Sequence, residues 1–178
     1  MSLDITIYCP DEHILYDANL LDKKGVGGGV VVRIRLAEAL VREGHNVTII
    51  ANVRKEQNYR GVHYLPLSLA KKKLKTDVLI MISSGGELSL GSASNLVIDA
   101  KWREIWVQGI PLVKNLAKIN WDVIIPCSNF IYETILENWG LPSPRLFTIY
   151  NGMPPLSKKW YSRFYNNSRN PFRLIYAS

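Results

Sequence analysis

Short apolar runs separated by longer stretches of helical periodicity constrain this chain more than any other feature. Such alternation is the pattern of strand–helix–strand units built around a parallel sheet. The first run, Ile5-Thr6-Ile7-Tyr8-Cys9, is stopped by Pro10, and a polar loop leads on to Gly28. From Val30 the period changes. Val30, Ile34, Ala37, Leu40 and Val41 recur at three- and four-residue spacing, which predicts a helix with one buried stripe. Gly44 stands where a C-terminal cap belongs, and Arg42 suits the negative end of the helix dipole. Val47–Ala51 and Val62–Leu65 read as the next strands, and Ser68–Lys75 as a helix capped by Ser68.

The second half repeats the alternation. Val78–Ile82 is a continuous apolar strand of the kind covered on both faces, followed by a Gly/Ser-rich loop over Ser83–Ser94. Ile105-Trp106-Val107 and Val123-Ile124-Ile125 read as further strands, with a helix starting near Pro111 between them. Ser128 or Asn129 caps a last helix through Phe130, Ile131, Ile135 and Leu136, which Gly140 and Pro142 end. Leu146–Ile149 is the closing strand. Asn151-Gly152 and Pro154-Pro155 then mark a turn. Phe172–Tyr176 reads as a fresh strand, and a parallel strand needs a crossover and neighbours. The expectation is therefore a fragment of a longer protein, or an end that folds back onto the domain.

With 178 residues and 47% hydrophobic content, the chain suits one α/β domain with a proper core. No run approaches the roughly 18 apolar residues of a membrane span, and the N-terminus lacks the layout of a secretory signal. Cys9 and Cys127, each at the end of a strand-like run, read as free thiols in a reducing compartment, which points to the cytoplasm. The net charge of +7 is unevenly placed, with Lys71, Lys72, Lys73 and Lys75 in one cluster and Lys158, Lys159, Arg163 and Arg169 in another. Either cluster is a solvated surface or a contact for an anionic partner. Nucleic acid is not the expected one, since no recognisable nucleic-acid motif accompanies the charge.

Several segments, taken in order, resemble the family-4 retaining glycosyltransferases. They are the Gly27-Gly28 pair, Leu36-Ala37-Glu38-Ala39-Leu40, Gly44-His45-Asn46-Val47-Thr48, Ile125–Phe130 and Ile149-Tyr150-Asn151-Gly152-Met153. The resemblance implies a Rossmann-like, doubly wound, mainly parallel sheet with helices on both faces, forming half of a GT-B fold. It divides the chain into an acceptor-side domain over 1–152, a linker over 153–170 and the first strand of a nucleotide-sugar domain over 171–178, with Asn151 and Gly152 as the hinge. It further implies a UDP- or GDP-linked sugar as co-substrate, a glycan or lipid-linked acceptor, and no metal or other cofactor. The chain departs from the family at Val30-Val31, where Glu-Arg is frequent, and at Gln108, where a histidine is common.

Residue chemistry supports candidate roles. Glycines at Gly27, Gly28 and Gly29 let backbone amides approach phosphate oxygens at a helix N-terminus, so these residues are the expected donor-phosphate site. The dinucleotide fingerprint fits less well, because a long loop separates strand from glycines and the third fingerprint glycine falls on Val30. Ser84, Gly85, Gly86, Glu87 and Gln108 follow central strands, where ligands bind in open α/β sheets, and are the expected acceptor contacts. Gln108, the one catalytic candidate, can hydrogen-bond a sugar hydroxyl but cannot titrate. His45 reads as structural, and His13 and His63 have no partner at metal-ligand spacing. Trp102, Trp106 and Trp121 serve either the core or a sugar platform. The Lys71, Lys72, Lys73 and Lys75 cluster suits peripheral contact with the inner, anionic membrane face. The contrasting function is a stand-alone Rossmann-like binding or interaction module without catalysis.

Overall fold

The computed structural model of the chain describes residues 1–16, 19–23, 26–71, 74–84, 98–110, 120–139 and 145–152. Seven strands form one sheet: β1 (Asp4–Tyr8), β2 (Asn46–Ala51), β3 (Gln57–Tyr59), β4 (Val62–Pro66), β5 (Leu74–Ser83), β6 (Ile98–Val107) and β7 (Val123–Pro126). Their spatial order is β3-β4-β2-β1-β5-β6-β7, and every neighbouring pair is parallel except β3 with β4. The sheet is thus Rossmann-like and mostly parallel. From β1 the chain builds outward through β2 and β4, then recrosses to add β5, β6 and β7 on the other side. That reversal makes the carboxyl ends of β1 and β5 the switch point of the sheet, the place where the crevice of open α/β folds lies.

A short helix α1 (Leu20–Lys23) interrupts the first loop, and α2 (Gly28–Arg42) and α3 (Asn129–Trp139) are the longer ones. Alternate residues along the strands fall into two separate apolar clusters. Ile5, Ile7, Cys9, Val47 and Ile49 join Val30, Ile34 and Ala37 of α2 in the first. Tyr8, Ile50, Met81, Ile105 and Ile124 join Ile131, Ile135 and Trp139 of α3 in the second. The end of α2 follows the expected cap. Gly44 has φ +89°, His45 donates its amide to the Leu40 carbonyl at 3.1 Å, and Gly44 donates to Val41 at 3.0 Å, which is a Schellman arrangement. Ser128 is the cap of α3, its Oγ accepting the Ile131 amide at 3.3 Å.

Four expectations need correction. The segment Ser68–Lys75 is not one helix: a 3₁₀ turn covers Leu67–Lys71, and β5 has begun by Leu74, so Lys75 is an exposed strand residue. β5 and β6 also run well beyond their apolar cores. Their first residues pair with each other from Leu74 and Ile98, whereas β1 pairs with β5 from Val78 onward and β7 with β6 from Glu104. Among the described residues no further strand pairs with this two-stranded extension, and Lys75, Asp99 and Lys101 are exposed on it, so it lacks a continuous apolar run. An Asp77–Lys101 ion pair at 2.7 Å ties it together. The third correction is the hairpin from β3 to β4, closed by Arg60 at φ 51° and Gly61 at φ 80°, whose polar first strand escapes a search for apolar runs. A Cβ on Gly61 would stand 2.6 Å from Val41 Cγ1 of α2, so both backbone angle and packing hold a glycine there. The expected strand Leu146–Ile149 does not form as a strand: Leu146 alone makes an isolated parallel bridge to Ile124. The expected helix near Pro111, the linker and the terminal strand lie outside the described residues.

Candidate functional site

Four segments meet at the crevice. β1 leads through Cys9 and Pro10 to Asp11, β5 into Ser84, β6 into Gln108, and α2 opens with Gly28 and Gly29 and carries Arg33 one turn on. Parallel pairing sets their depth. The ladders continue one residue past the strands, with Cys9 donating its amide to the Ile50 carbonyl at 2.8 Å and Gln108 donating to Ser83 at 2.7 Å.

Arg33 organises the site. It sits three residues after Val30 and four before Ala37, on the stripe that α2 buries. A guanidinium there must find acceptors or lose several kcal/mol of hydration. Its Nη1 donates to the Asp11 carboxylate and to the Tyr16 hydroxyl. Nη2 donates to Ser84 Oγ at 2.6 Å and Nε to Gln108 Oε1 at 2.8 Å. Ser84 Oγ in turn donates to Asp11 Oδ2 at 2.9 Å. The Arg33 and Asp11 side chains are 4% and 3% exposed, so this ion pair is dry. Burial disfavours the Arg33 charge, but the surrounding Cys9, Tyr16 and Asp11 groups outweigh it and hold the guanidinium above its ordinary pKa.

Burial likewise raises the Tyr16 phenol far above its usual range and pushes the Cys9 thiol up to about 12. Cys9 is accordingly a neutral packing group at physiological pH. The sign of its pH effect follows: unfolded, the thiol ionises near 9.0, while folded it keeps its proton to about 12. Stability then falls as pH rises from about 9, by up to ~1.4 kcal/mol per pH unit. We expect Cys9→Ala to flatten this slope between about pH 9 and 10, below the Tyr16 titration, in urea unfolding. An unchanged slope would remove the thiol as its cause.

The glycine turn lies directly against this network. Gly27 is the N-cap of α2 and offers no side-chain cap; its carbonyl takes the amides of Val30 at 3.0 Å and Val31 at 3.2 Å. The Gly28 and Gly29 amides, the first of the helix, have no intrahelical acceptor. A Cβ on Gly28 would meet nothing within 4 Å, and one on Gly29 would stand 3.4 Å from Gln108 Oε1. Gln108 Nε2 is buried and has no hydrogen-bond partner among the described residues. A donor left in that state costs about 1–3 kcal/mol.

Of the sequence candidates, the structure brings Gly29, Ser84 and Gln108 together, with Gly27 and Gly28 adjoining along the turn. Gly85, Gly86 and Glu87 lie outside the described residues, as do Lys72 and Lys73. Asn151 and Gly152 are exposed at the end of the described chain. Asp11, Tyr16 and Arg33 were missed by sequence reasoning. A signal for Arg33 did exist, since a charged residue in phase with a buried stripe implies a buried partner; nothing local marked Asp11 or Tyr16 as that partner. His45 has the structural role expected of it, its Nδ1 accepting the Leu3 amide at 3.3 Å. His63 pairs with Glu56 at 2.9 Å. Trp106 is buried in the first cluster and Trp121 packs against the second, while Trp102 is exposed, its Nε1 donating to Glu104 at 2.8 Å with Arg145 over its ring. Among the described residues, no group of three or more His, Cys, Asp or Glu is placed to hold a metal, and no helix is long and apolar enough to cross a membrane. No protein-family model matches the chain, and no curated protein matches it.

Proposed function

We propose that the chain is the acceptor-side half of a GT-B glycosyltransferase, doubly wound with helices on both faces of its sheet. In this reading the crevice beyond β1 and β5 receives the diphosphate of a nucleotide sugar together with a hydroxyl acceptor. The observation that carries the reading is the convergence of a side-chain-free helix start at Gly28 and Gly29 with two polar side chains, Ser84 and Gln108, at the switch point of a parallel sheet. Two amides without an intrahelical acceptor and the positive end of a fifteen-residue helix favour an anion at that spot. Departure of the nucleoside diphosphate concentrates negative charge on its phosphate oxygens, and fixed amide dipoles stabilise that charge without reorganising. Gln108 suits a hydroxyl or phosphate oxygen as a hydrogen-bond partner and takes no part in proton transfer. A glycan or lipid-linked acceptor would lie on the Ser84 and Gln108 side, with Lys75 available to an anionic membrane surface.

The family pattern assigns most nucleotide and sugar contacts to a second domain. The 178-residue chain should therefore bind UDP or GDP weakly, with Kd in the millimolar range (about −4 kcal/mol), and release no nucleotide from UDP- or GDP-sugars. Titration calorimetry and a nucleotide-release assay on the same preparation test both statements. Binding of a glycan with no response to UDP, GDP or pyrophosphate would instead favour a non-catalytic carbohydrate-binding module. That second reading draws its support from the absence of a titrating group at the Gln108 position.

A further inference from the structure

We infer that Arg33 is a positioning residue: it locks the Gln108 carboxamide in one orientation, so that the crevice presents a hydrogen-bond donor to its ligand. The inference rests on the crevice being a ligand site, as proposed above, and adds which polarity of ligand atom that site accepts.

The orientation follows from chemistry as well as from placement. A carboxamide can turn either its oxygen or its NH2 toward a neighbour. A guanidinium has donors and no acceptor, so the oxygen is the one amide atom that can face Arg33. Oε1 does face it, 2.8 Å from Nε. Arg33 cannot swing away, because Asp11, Tyr16 and Ser84 hold its other nitrogens. Nε2 is thereby directed away from the guanidinium, and among the described residues nothing accepts from it. Gly29 abuts Oε1, which places the amide beside the start of α2. An oxygen reaching Nε2 gains a hydrogen bond to a donor that has none to surrender, so the network discriminates for acceptors and against donors. Phosphate oxygens and sugar hydroxyl oxygens share that chemistry.

Gln108→Glu separates positioning from packing. The carboxylate keeps the size and pairs with Arg33 by charge, so thermal stability should equal or exceed that of the parent. It removes the donor, and we expect affinity for the true ligand to fall at least tenfold. The probes are UDP, inorganic pyrophosphate and maltose, titrated into ¹⁵N-glutamine-labelled chain while the Gln108 NH2 resonances are followed. Response to pyrophosphate and UDP identifies a diphosphate oxygen; response to maltose without pyrophosphate identifies a hydroxyl and overturns the diphosphate assignment while leaving the positioning role intact. Arg33→Lys, which retains charge but offers one nitrogen for four acceptors, should move the two NH2 proton signals toward the shifts of an unrestrained glutamine, the pair staying distinct because rotation about the amide C–N bond is slow. The inference is overturned if Gln108→Glu binds every responsive probe as tightly as the parent, or if no probe moves the Gln108 NH2 pair.

Discussion

Replacing Asp11 with alanine should lower the free energy of unfolding by about 3–5 kcal/mol, the cost of leaving a buried charge without its partner. For a chain of this size each kcal/mol shifts the melting temperature by about 2–4 °C, so the drop should be on the order of 10 °C. The large value comes from dryness. Exposed pairs such as Arg60–Asp22 contribute at most about 1 kcal/mol, because water substitutes for either partner. Arg33 has no such substitute: with Asp11 removed it keeps Tyr16, Ser84 and Gln108, all neutral, around a full positive charge. Removing both members should be milder than the sum of the single losses. Asp11→Ala with Arg33→Met is therefore expected to show a coupling of about 1–3 kcal/mol in a double-mutant cycle. Calorimetric melting of the four proteins decides it. Strict additivity would mean that the two groups do not act as a pair.

A second large effect should appear at Gly28, this time on binding with the fold left alone. Gly28→Val should weaken pyrophosphate or UDP binding at least tenfold, which is about 1.4 kcal/mol, while unfolding free energy changes by less than about 1 kcal/mol. The asymmetry is a matter of space. A Cβ at Gly28 touches no protein atom within 4 Å, so the added methyls fall where a phosphate would stand. Glycine also carries the larger backbone entropy cost in a helix, which partly offsets the stiffness of valine. If pyrophosphate binds Gly28→Val as it binds the parent, the anion does not sit on the start of α2. If the variant fails to fold, the helix start has a packing role that its open surroundings do not reveal.

The sequence by itself determined what depends on neighbours within a few residues. The strands β1, β2, β4 and β7 and the apolar halves of β5 and β6 were legible as short apolar runs, because those segments supply side chains to the two apolar clusters. The stripe of α2, its Gly44 cap and the Ser128 cap of α3 were legible for the same reason, since helix period and capping are local. The glycine turn and the placement of Ser84 and Gln108 after strands could also be read directly. The extension of β5 and β6, with Lys75, Asp99 and Lys101 exposed, and the polar strand β3 could not, because strand pairing through the backbone does not require a run of apolar side chains. Tertiary structure alone decided the order of the strands, with β1 central and the chain reversing between it and β5, and so decided which strand ends share a crevice. It also decided the network. Arg33 meets Tyr16 across 17 residues, Asp11 across 22, Ser84 across 51 and Gln108 across 75. Sequence periodicity shows that a charge lies on a buried stripe; only sheet pairing brings its acceptors within hydrogen-bond reach.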